Sequence, residues 1–303
     1  MTLRFGIDLG GSKIEIIALD SQGNECYRQR VATPAGDYPA TLAAIAGLVQ
    51  QAESVLGTRG SVGIGTPGAV SRLTGRMKNC NSTCLNGQPL PHDLAQCLGR
   101  EVRLANDADC FALSEASDGA AAGAATVFGV ILGTGVGGGI VVQQRLLAGP
   151  NAIAGEWGHN PLPWPDLSEL PGPACYCGRS GCIETYLSGP GLSRDYAALT
   201  GLTCSGPDIV ARSAAGDDLC EQVMQRYENR LARALAHVIN ILDPEVIVLG
   251  GGLSNCARIY RHLPQLWGRY VFSDRVDTRL AAPRFGDSSG VRGAAWLWEN
   301  SQA

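Results

Sequence analysis

The sequence predicts an α/β fold made of two duplicated halves. Three observations carry that expectation. Strand-like apolar runs alternate with helical periodicity along 303 residues, a length that suits two domains. Three of those runs end in glycine turns, at Gly10-Gly11, Gly133-Thr134-Gly135 and Gly250-Gly251-Gly252. Finally, Phe5-Gly-Ile-Asp8-Leu-Gly10 repeats as Phe128-Gly-Val-Ile131-Leu-Gly133, each copy a strand, a glycine turn and a second strand. The copies part where chemistry matters, because Asp8 in the first stands where Ile131 stands in the second.

The elements follow in order. Residues 3–9 and 13–19 form a hairpin turned by Gly10-Gly11. Leu42, Ile45, Val49, Ala52 and Leu56 recur at helical spacing, so residues 39–56 form an amphipathic helix. A strand over 61–64 ends at Gly65-Thr66-Pro67-Gly68. A short strand over 102–104 stops at Asn106-Asp107, and a helix follows over 108–118. The small-residue run from Gly119 to Ala125 marks a crossover. Beyond the second hairpin, Leu231, Leu235, Val238 and Leu242 mark a long helix that Pro244 ends. A buried strand over 246–249 precedes the third glycine turn, and residues 290–298 close as a helix. The expected lobes are 1–118 plus 288–303, and 119–287 with a metal-binding loop.

Composition narrows the function. Apolar residues make up 45% and charged residues 17%, enough for a sizeable core. A net charge of -4 gives no electrostatic reason to expect nucleic acid or an anionic membrane surface. Eleven cysteines, mostly scattered, suit a reducing compartment better than a disulfide framework. The first residues lack the basic and long apolar segments of a secretory signal, and no apolar run reaches the roughly 18 residues of a membrane span. A cytoplasmic protein is the expectation.

One stretch is dense in metal ligands. Gly155-Glu156-Trp157-Gly158-His159 precedes a proline-rich loop and then Cys175-Tyr-Cys177-Gly-Arg-Ser-Gly-Cys182-Ile-Glu184. One imidazole and three thiolates suit a closed, tetrahedral Zn²⁺ site with no place for water, hence a structural one. His159, Cys175, Cys177 and Cys182 are the expected ligands. The metal would fix the flanking carboxylates Glu156 and Glu184 in space. Scattered buried thiols are the plainer reading, but C-x-C-x4-C beside a histidine is too dense for it.

The glycine turns point to phosphate. Backbone N–H groups without a side chain in the way can face a phosphate chain. Asp8, at the first turn, could hold Mg²⁺, which commonly takes one or two carboxylates plus phosphate oxygens. Gly133-Thr-Gly135-Val-Gly-Gly138 also matches the dinucleotide-binding G-x-G-x-x-G pattern. That fingerprint should open a helix, whereas strand-like Ile140-Val-Val follows here, and no P-loop is present. Asp107 sits where a strand becomes a helix, and the helix dipole favours its charge there; general base and plain helix cap both fit.

Together these motifs resemble the ROK family of bacterial sugar kinases and sugar-responsive repressors. The carriers are Gly6-Ile-Asp8-Leu-Gly-Gly-Ser-Lys13, Gly63-Ile-Gly-Thr-Pro-Gly68, Asn106-Asp107-Ala-Asp109, Gly133-Thr-Gly-Val-Gly-Gly-Gly139, Gly155-Glu-Trp-Gly-His159, Cys175-x-Cys177-x4-Cys182-x-Glu184 and Gly250-Gly-Gly252. They span essentially the whole chain. Within the family, residues 79–89 and 158–164 look like the fructokinase (manno(fructo)kinase) branch.

The resemblance implies an actin-like ATPase (ribonuclease H-like), duplicated two-domain fold with ATP and sugar in a central cleft. It implies Asp107 as catalytic base and sugar contacts from Asn106, Glu156, His159 and Glu184. Asn81, in the polar 79–86 segment, would line the sugar's far side. One ring nitrogen of His159 would meet zinc and the other a sugar hydroxyl. Phosphate contacts carry over to Gly10, Gly11, Gly133, Thr134 and Gly135, and the adenosine contact to Gly251 and Gly252. Gly6, Asp8, Ser12, Lys13 and Gly137 complete the ATP-binding set, with Mg²⁺ accompanying ATP. A homodimer is also implied. Two departures stand out. Asp109 replaces the family's usual Asn, and the gap from His159 to Cys175 is long and stiffened by five prolines.

The expected activity is therefore ATP:hexose 6-phosphotransfer, with D-fructose going to fructose 6-phosphate. N-acetylglucosamine kinase or glucokinase of the same family is the alternative. A reading from another class, a sugar-responsive DNA-binding regulator, needs a helix-turn-helix ahead of the first phosphate motif, which begins at Gly6. A catalytically dead sugar binder is disfavoured because Asp8, Asp107 and the glycine turns are all present.

Overall fold

The computed structural model describes residues 3–80 and 82–298; Asn81 lies outside the described residues. The chain divides into two compact units. One comprises Met1–Gly123, Gln144–Ala154 and Asp287–Ala303, the other Ala124–Gln143 and Gly155–Gly286. The first unit thus runs to Gly123, past the position expected from sequence. It also takes in the 144–154 excursion, which sequence reasoning had left in the second lobe.

The first unit begins with strands β1 (Leu3–Leu9), β2 (Lys13–Leu19) and β3 (Glu25–Ala32), then helix α1 (Tyr38–Leu56) and strand β4 (Gly60–Thr66). A small hairpin of β5 (Ala69–Val70) and β6 (Met77–Lys78) leads to α2 (Leu90–Leu98), β7 (Val102–Asn106) and α3 (Asp107–Ser117). The sheet order is β3-β2-β1-β4-β7. β1 is antiparallel to β2 and parallel to β4, and β4 is parallel to β7. Leu3, Phe5, Ile7, Leu9, Ile14 and Ile16 are buried in one core and Ile17 and Leu19 in another, so the sheet is covered on both faces. α1 starts where the Asp37 side chain accepts from the Ala40 N–H at 2.9 Å, with Pro39 in the first turn, and stops at Gly57 in the left-handed region.

The second unit repeats the opening device. β8 (Thr126–Leu132) and β9 (Val136–Val142) are seven-residue antiparallel strands, the same lengths as β1 and β2. Strand β10 (Arg145–Leu146) belongs to the excursion that clusters with the first unit. Helices α4 (Ile183–Leu187), α5 (Gly189–Thr200), α6 (Gly206–Ala214) and α7 (Asp218–Leu242) come next, then β11 (Val246–Gly250), α8 (Ala257–Leu266) and β12 (Arg279–Ala281). β11 runs parallel to β8, as β4 does to β1, so hairpin and parallel neighbour are duplicated together. α7 buries Leu231 and Leu235 against Phe128, Ile247 and Leu249, the periodicity legible in sequence.

Helix α9 (Ser289–Trp296) returns to the first unit. It approaches the sheet so closely that a Cβ on Gly6 would strike the Val291 carbonyl, and one on Gly63 the Ala294 carbonyl. Gly6 therefore sits mid-strand under α9, and helix packing accounts for its being glycine. Among the described residues, no helix is long and apolar enough to cross a membrane.

Candidate active site

In the first unit, three parallel strands end side by side. In register, Asp8 of β1 pairs with Gly65 of β4, and Thr66 of β4 pairs with Asn106 of β7. Asp8 and Asp107 thus flank the Gly65-Thr66 strand end, at the carboxyl edge where ligands of open α/β sheets bind. Burial, then the charges of Asp107 and Glu15, push the Asp8 carboxyl up to about 6. Asp107 is accessible to water yet enclosed by protein at longer range, and that desolvation raises its pKa as well. Two acids raised in one place are a candidate base beside a candidate cation ligand, since a bound cation would reverse both shifts.

The helix cap falls on Asn106, whose side-chain oxygen accepts from the Asp109 N–H at 2.6 Å. Asp107 is then the first helical residue, and its Oδ1 accepts from the Ala108 N–H at 2.8 Å. This separates the two readings of Asp107 left open by sequence: the cap is its neighbour. Asp109 contributes its backbone to the cap. The Gly10–Lys13 turn lies at the same edge, closed by Gly10 N–H to Lys13 O at 3.0 Å and braced by the Thr33 hydroxyl on Gly10 O at 2.7 Å. A Cβ on Gly11 would lie 3.6 Å from the Ser82 Oγ. Ser82 and Thr66 were not singled out from sequence; Thr66 could have been, as the residue that ends β4 before Pro67-Gly68.

In the second unit, the other two glycine turns are neighbours, because they follow the parallel strands β8 and β11. Gly251 has φ +79°, and a Cβ there would come within 2.5 Å of Leu132 O. The Gly133–Gly135 turn closes through Gly133 N–H to Gly135 O at 3.0 Å, and Gly133 O accepts from Gly189 N–H, at the start of α5, at 2.8 Å. Glu184 of α4 reaches the same turn: its Oε2 accepts from the Val136 N–H at 3.0 Å. Gly137 lies one residue into β9, with its carbonyl accepting from the Trp157 indole at 2.9 Å.

The expected ligand set is assembled beside α4. One donor atom from each of His159, Cys175, Cys177 and Cys182 lies within 4.8 Å of the others. The Cys177 and Cys182 sulfurs are 3.6 Å apart, and the Cys175 sulfur is 3.5 Å from His159 Nδ1. A tetrahedral Zn²⁺ with ordinary Zn–S and Zn–N bonds has edges of roughly 3.6–3.8 Å, so the donor set fits. The other ring nitrogen of His159 differs from expectation. Nε2 lies 2.9 Å from the Tyr176 hydroxyl, so a tyrosine of this chain, not an open face, meets it. Tyr176 sits between two ligand cysteines, a position sequence reasoning passed over. Desolvation, then the charges of Glu184 and Glu156, push its phenol up to about 12. Those two carboxylates thus act on the neighbourhood of His159.

The proline-rich segment wraps this centre. Pro161 bridges to Cys182 and Ala174 to Ser180. Its Glu169 is buried and accepts from Arg230 Nε at 2.7 Å and Arg233 Nη2 at 2.8 and 2.9 Å, both on α7. The Tyr186 hydroxyl of α4 donates to Glu169 O at 2.6 Å. The long gap is therefore an ordered clamp between the ligand loop, α4 and α7.

One sheet edge carrying paired acids and a glycine turn, and a second carrying two glycine turns, define a phosphate-handling α/β protein of the actin-like ATPase class. The chain belongs to the ROK family, whose model matches residues 4–301. It is 41% identical over 297 residues to the N-acetyl-D-glucosamine kinase of Yersinia pseudotuberculosis serotype O:3 (strain YPIII), covering 97% of this chain and 98% of that protein. Among solved structures it resembles a ROK hexokinase from Thermus thermophilus, with TM-score 0.87, 31% identity and 97% of each chain covered. It also resembles a ROK family glucokinase from Streptomyces griseus in complex with glucose and AMPPNP, with TM-score 0.74, 28% identity, and 97% of this chain and 98% of that chain covered.

Proposed function

We propose that the protein is an ATP-dependent hexose kinase whose preferred acceptor is N-acetyl-D-glucosamine. The observation that carries the acceptor is the 41% identity, over nearly the full length, to an N-acetyl-D-glucosamine kinase. The sequence-based expectation of D-fructose gives way to it. In this reading Asp107 takes the proton from the sugar's 6-hydroxyl, and desolvation raises its pKa, the direction that strengthens a general base. Asp8 would hold Mg²⁺, which would supply charge neutralisation for the nucleotide phosphates. The Gly10–Lys13 and Gly133–Gly135 turns face the phosphates and Gly251-Gly252 the adenosine. Asn106, Glu156 and Glu184 meet sugar hydroxyls, His159 does so when a hydroxyl displaces the Tyr176 phenol from its Nε2, and Asn81 is kept as a sugar contact from the sequence reading alone. Most of the rate enhancement comes from positioning and electrostatics, as in other phosphoryl transfers.

His159, Cys175, Cys177 and Cys182 would hold a structural Zn²⁺, on the strength of the donor set and its spacing. Bound there, the metal ties the ligand loop together and keeps Glu184 in place.

The test is kcat/KM for N-acetylglucosamine, glucose, mannose and fructose, with ATP, under one condition. N-acetylglucosamine should lead fructose by about tenfold or more, a margin well inside what a hydrogen-bonding pocket imposes on a sugar that leaves its buried groups unpaired. Fructose or glucose ahead by that margin overturns the acceptor and leaves the kinase. No ADP release with any hexose overturns the kinase itself.

A further inference from the structure

We propose that Glu184 is a positioning residue that couples nucleotide binding to sugar binding by holding the Gly133–Gly135 turn to the metal loop. The proposal rests on the reading of that turn as a phosphate site and of Glu184 as a sugar contact.

Three observations within the second unit carry it. First, Glu184 Oε2 accepts from the Val136 N–H, the first residue after the turn, at 3.0 Å. Second, a Cβ placed on Gly135 would lie 2.7 Å from that same oxygen, so the carboxylate occupies the space a side chain would need. Gly135 thus has a reason to be glycine besides access for phosphate: it makes room for Glu184. Third, Glu184 is fixed from behind. It is two residues past the ligand Cys182, on α4, and the Ser188 N–H donates to Glu184 O at 3.2 Å. The next residue, Gly189, donates to Gly133 O at 2.8 Å, so the turn is gripped at both ends by one short stretch of chain.

A carboxylate has two oxygens. Oε2 is committed to the turn, which leaves Oε1 for a sugar hydroxyl. A sugar that orders Glu184 through Oε1 therefore orders the turn through Oε2, and a nucleotide that orders the turn does the reverse. Such coupling is reciprocal, and typical values are about 5–150-fold in affinity. A group that merely held up the fold would change both affinities without linking them.

The experiment is calorimetric titration of N-acetylglucosamine into the zinc-loaded protein, with and without a non-hydrolysable ATP analogue and Mg²⁺. The wild-type protein should bind the sugar at least about fivefold tighter when the analogue is present. Glu184→Ala should bring that ratio to near one while zinc stays at one equivalent per chain. Glu184→Gln keeps an acceptor oxygen for the Val136 N–H and should keep most of the coupling. Gly135→Ala pushes the carboxylate off the turn without altering Glu184, and should lose the coupling as well; it serves if Glu184→Ala does not fold. A wild-type ratio of one, or an undiminished ratio in Glu184→Ala or Gly135→Ala, overturns the proposal and leaves the kinase reading standing. Wild-type protein that binds no nucleotide overturns both.

Discussion

Replacing Glu169 with alanine should loosen the clamp around the ligand loop. Its side chain is 6% exposed, and the partners Arg233 and Arg230 are 3% and 10% exposed. The substitution removes the acceptor of three charge-assisted hydrogen bonds and frees the Asp166 N–H, which Glu169 Oε2 holds at 2.9 Å. Breaking a buried pair by deleting one partner costs about 3–5 kcal/mol, because the other charge stays buried. Arg230 keeps Asp195 at 3.0 Å, and Arg233 keeps the Pro163 and Trp164 carbonyls, so the lower end, roughly 3 kcal/mol, is expected. For a unit of this size that is a fall in Tm on the order of 10 °C.

Thermal unfolding followed by circular dichroism, with metal content measured on the same samples, reads the effect. The pH dependence is a second handle. Burial works to raise the Glu169 carboxyl, but hydrogen bonds from Arg233 and Arg230 outweigh it and hold the group down at about 2. A depressed carboxyl stabilises the fold fully above its ordinary range, and that contribution fades as pH falls from about 4.5 towards 2. The mutant should therefore lose its handicap relative to wild type across that window. A Tm within about 2 °C of wild type at neutral pH, less than 1 kcal/mol on the same scale, would refute the clamp.

Asp107→Asn should keep sugar affinity and lower kcat by about 10²–10⁴, the usual worth of a general base; a loss under about threefold rules out that role. Because Asp8 is pushed up to about 6, Mg·ATP affinity in the wild type should fall as pH drops through 6 and the carboxylate is protonated. Asp8→Asn should bind Mg·ATP weakly at every pH, and a surviving acidic limb in that variant would assign the titration elsewhere. Cys177→Ser should lower bound zinc below one equivalent and weaken sugar binding with it; full zinc retention contradicts the ligand assignment. Tyr176→Phe should tighten sugar binding about two- to tenfold, since a sugar hydroxyl no longer displaces the phenol from His159 Nε2. Weaker binding instead would make Tyr176 a sugar contact.

Much of this arrangement was legible because it rests on local signals. The Phe5–Gly10 and Phe128–Gly133 echo is a true duplication of hairpin plus parallel neighbour, since both copies use the same strand lengths. The ligand spacing is local too, and His159 joins the three cysteines although the proline-rich segment lies between. What sequence could not give were long-range partners of ordinary residues. Glu25–Ala32 lacks a strand's alternation because it lies at the sheet edge, with four of its eight residues exposed and the other four half-buried, and its pairing with β2 decides its conformation. Glu169 is one charge in a proline-rich stretch of sequence, and its two arginines lie more than sixty positions away. Gly6 belonged to a phosphate motif by eye, yet the backbone of α9, from the far end of the chain, is what abuts it.

The acceptor was the hardest feature to read, for a physical reason. The fructose expectation leaned on a resemblance over residues 79–89 and 158–164, with the polar segment 79–86 read as lining the sugar's far side. In the structure, Asn86 Oδ1 accepts from the Cys80 N–H at 2.9 Å and its Nδ2 donates to Cys80 O at 3.1 Å. Asn79 adopts φ 58°, the left-handed region that asparagine tolerates better than most residues. Two of the three asparagines thus shape the turn, which is what asparagine most often does in such a stretch. A donor used to close its own loop carries no information about a ligand. The groups proposed to meet hydroxyls, Glu156, His159 and Glu184, suit many hexoses alike. Choice among sugars then falls to the space and the unpaired groups that each one leaves behind. Those depend on how several segments pack together, so full-length similarity to a kinase of known acceptor weighs more than any short polar motif.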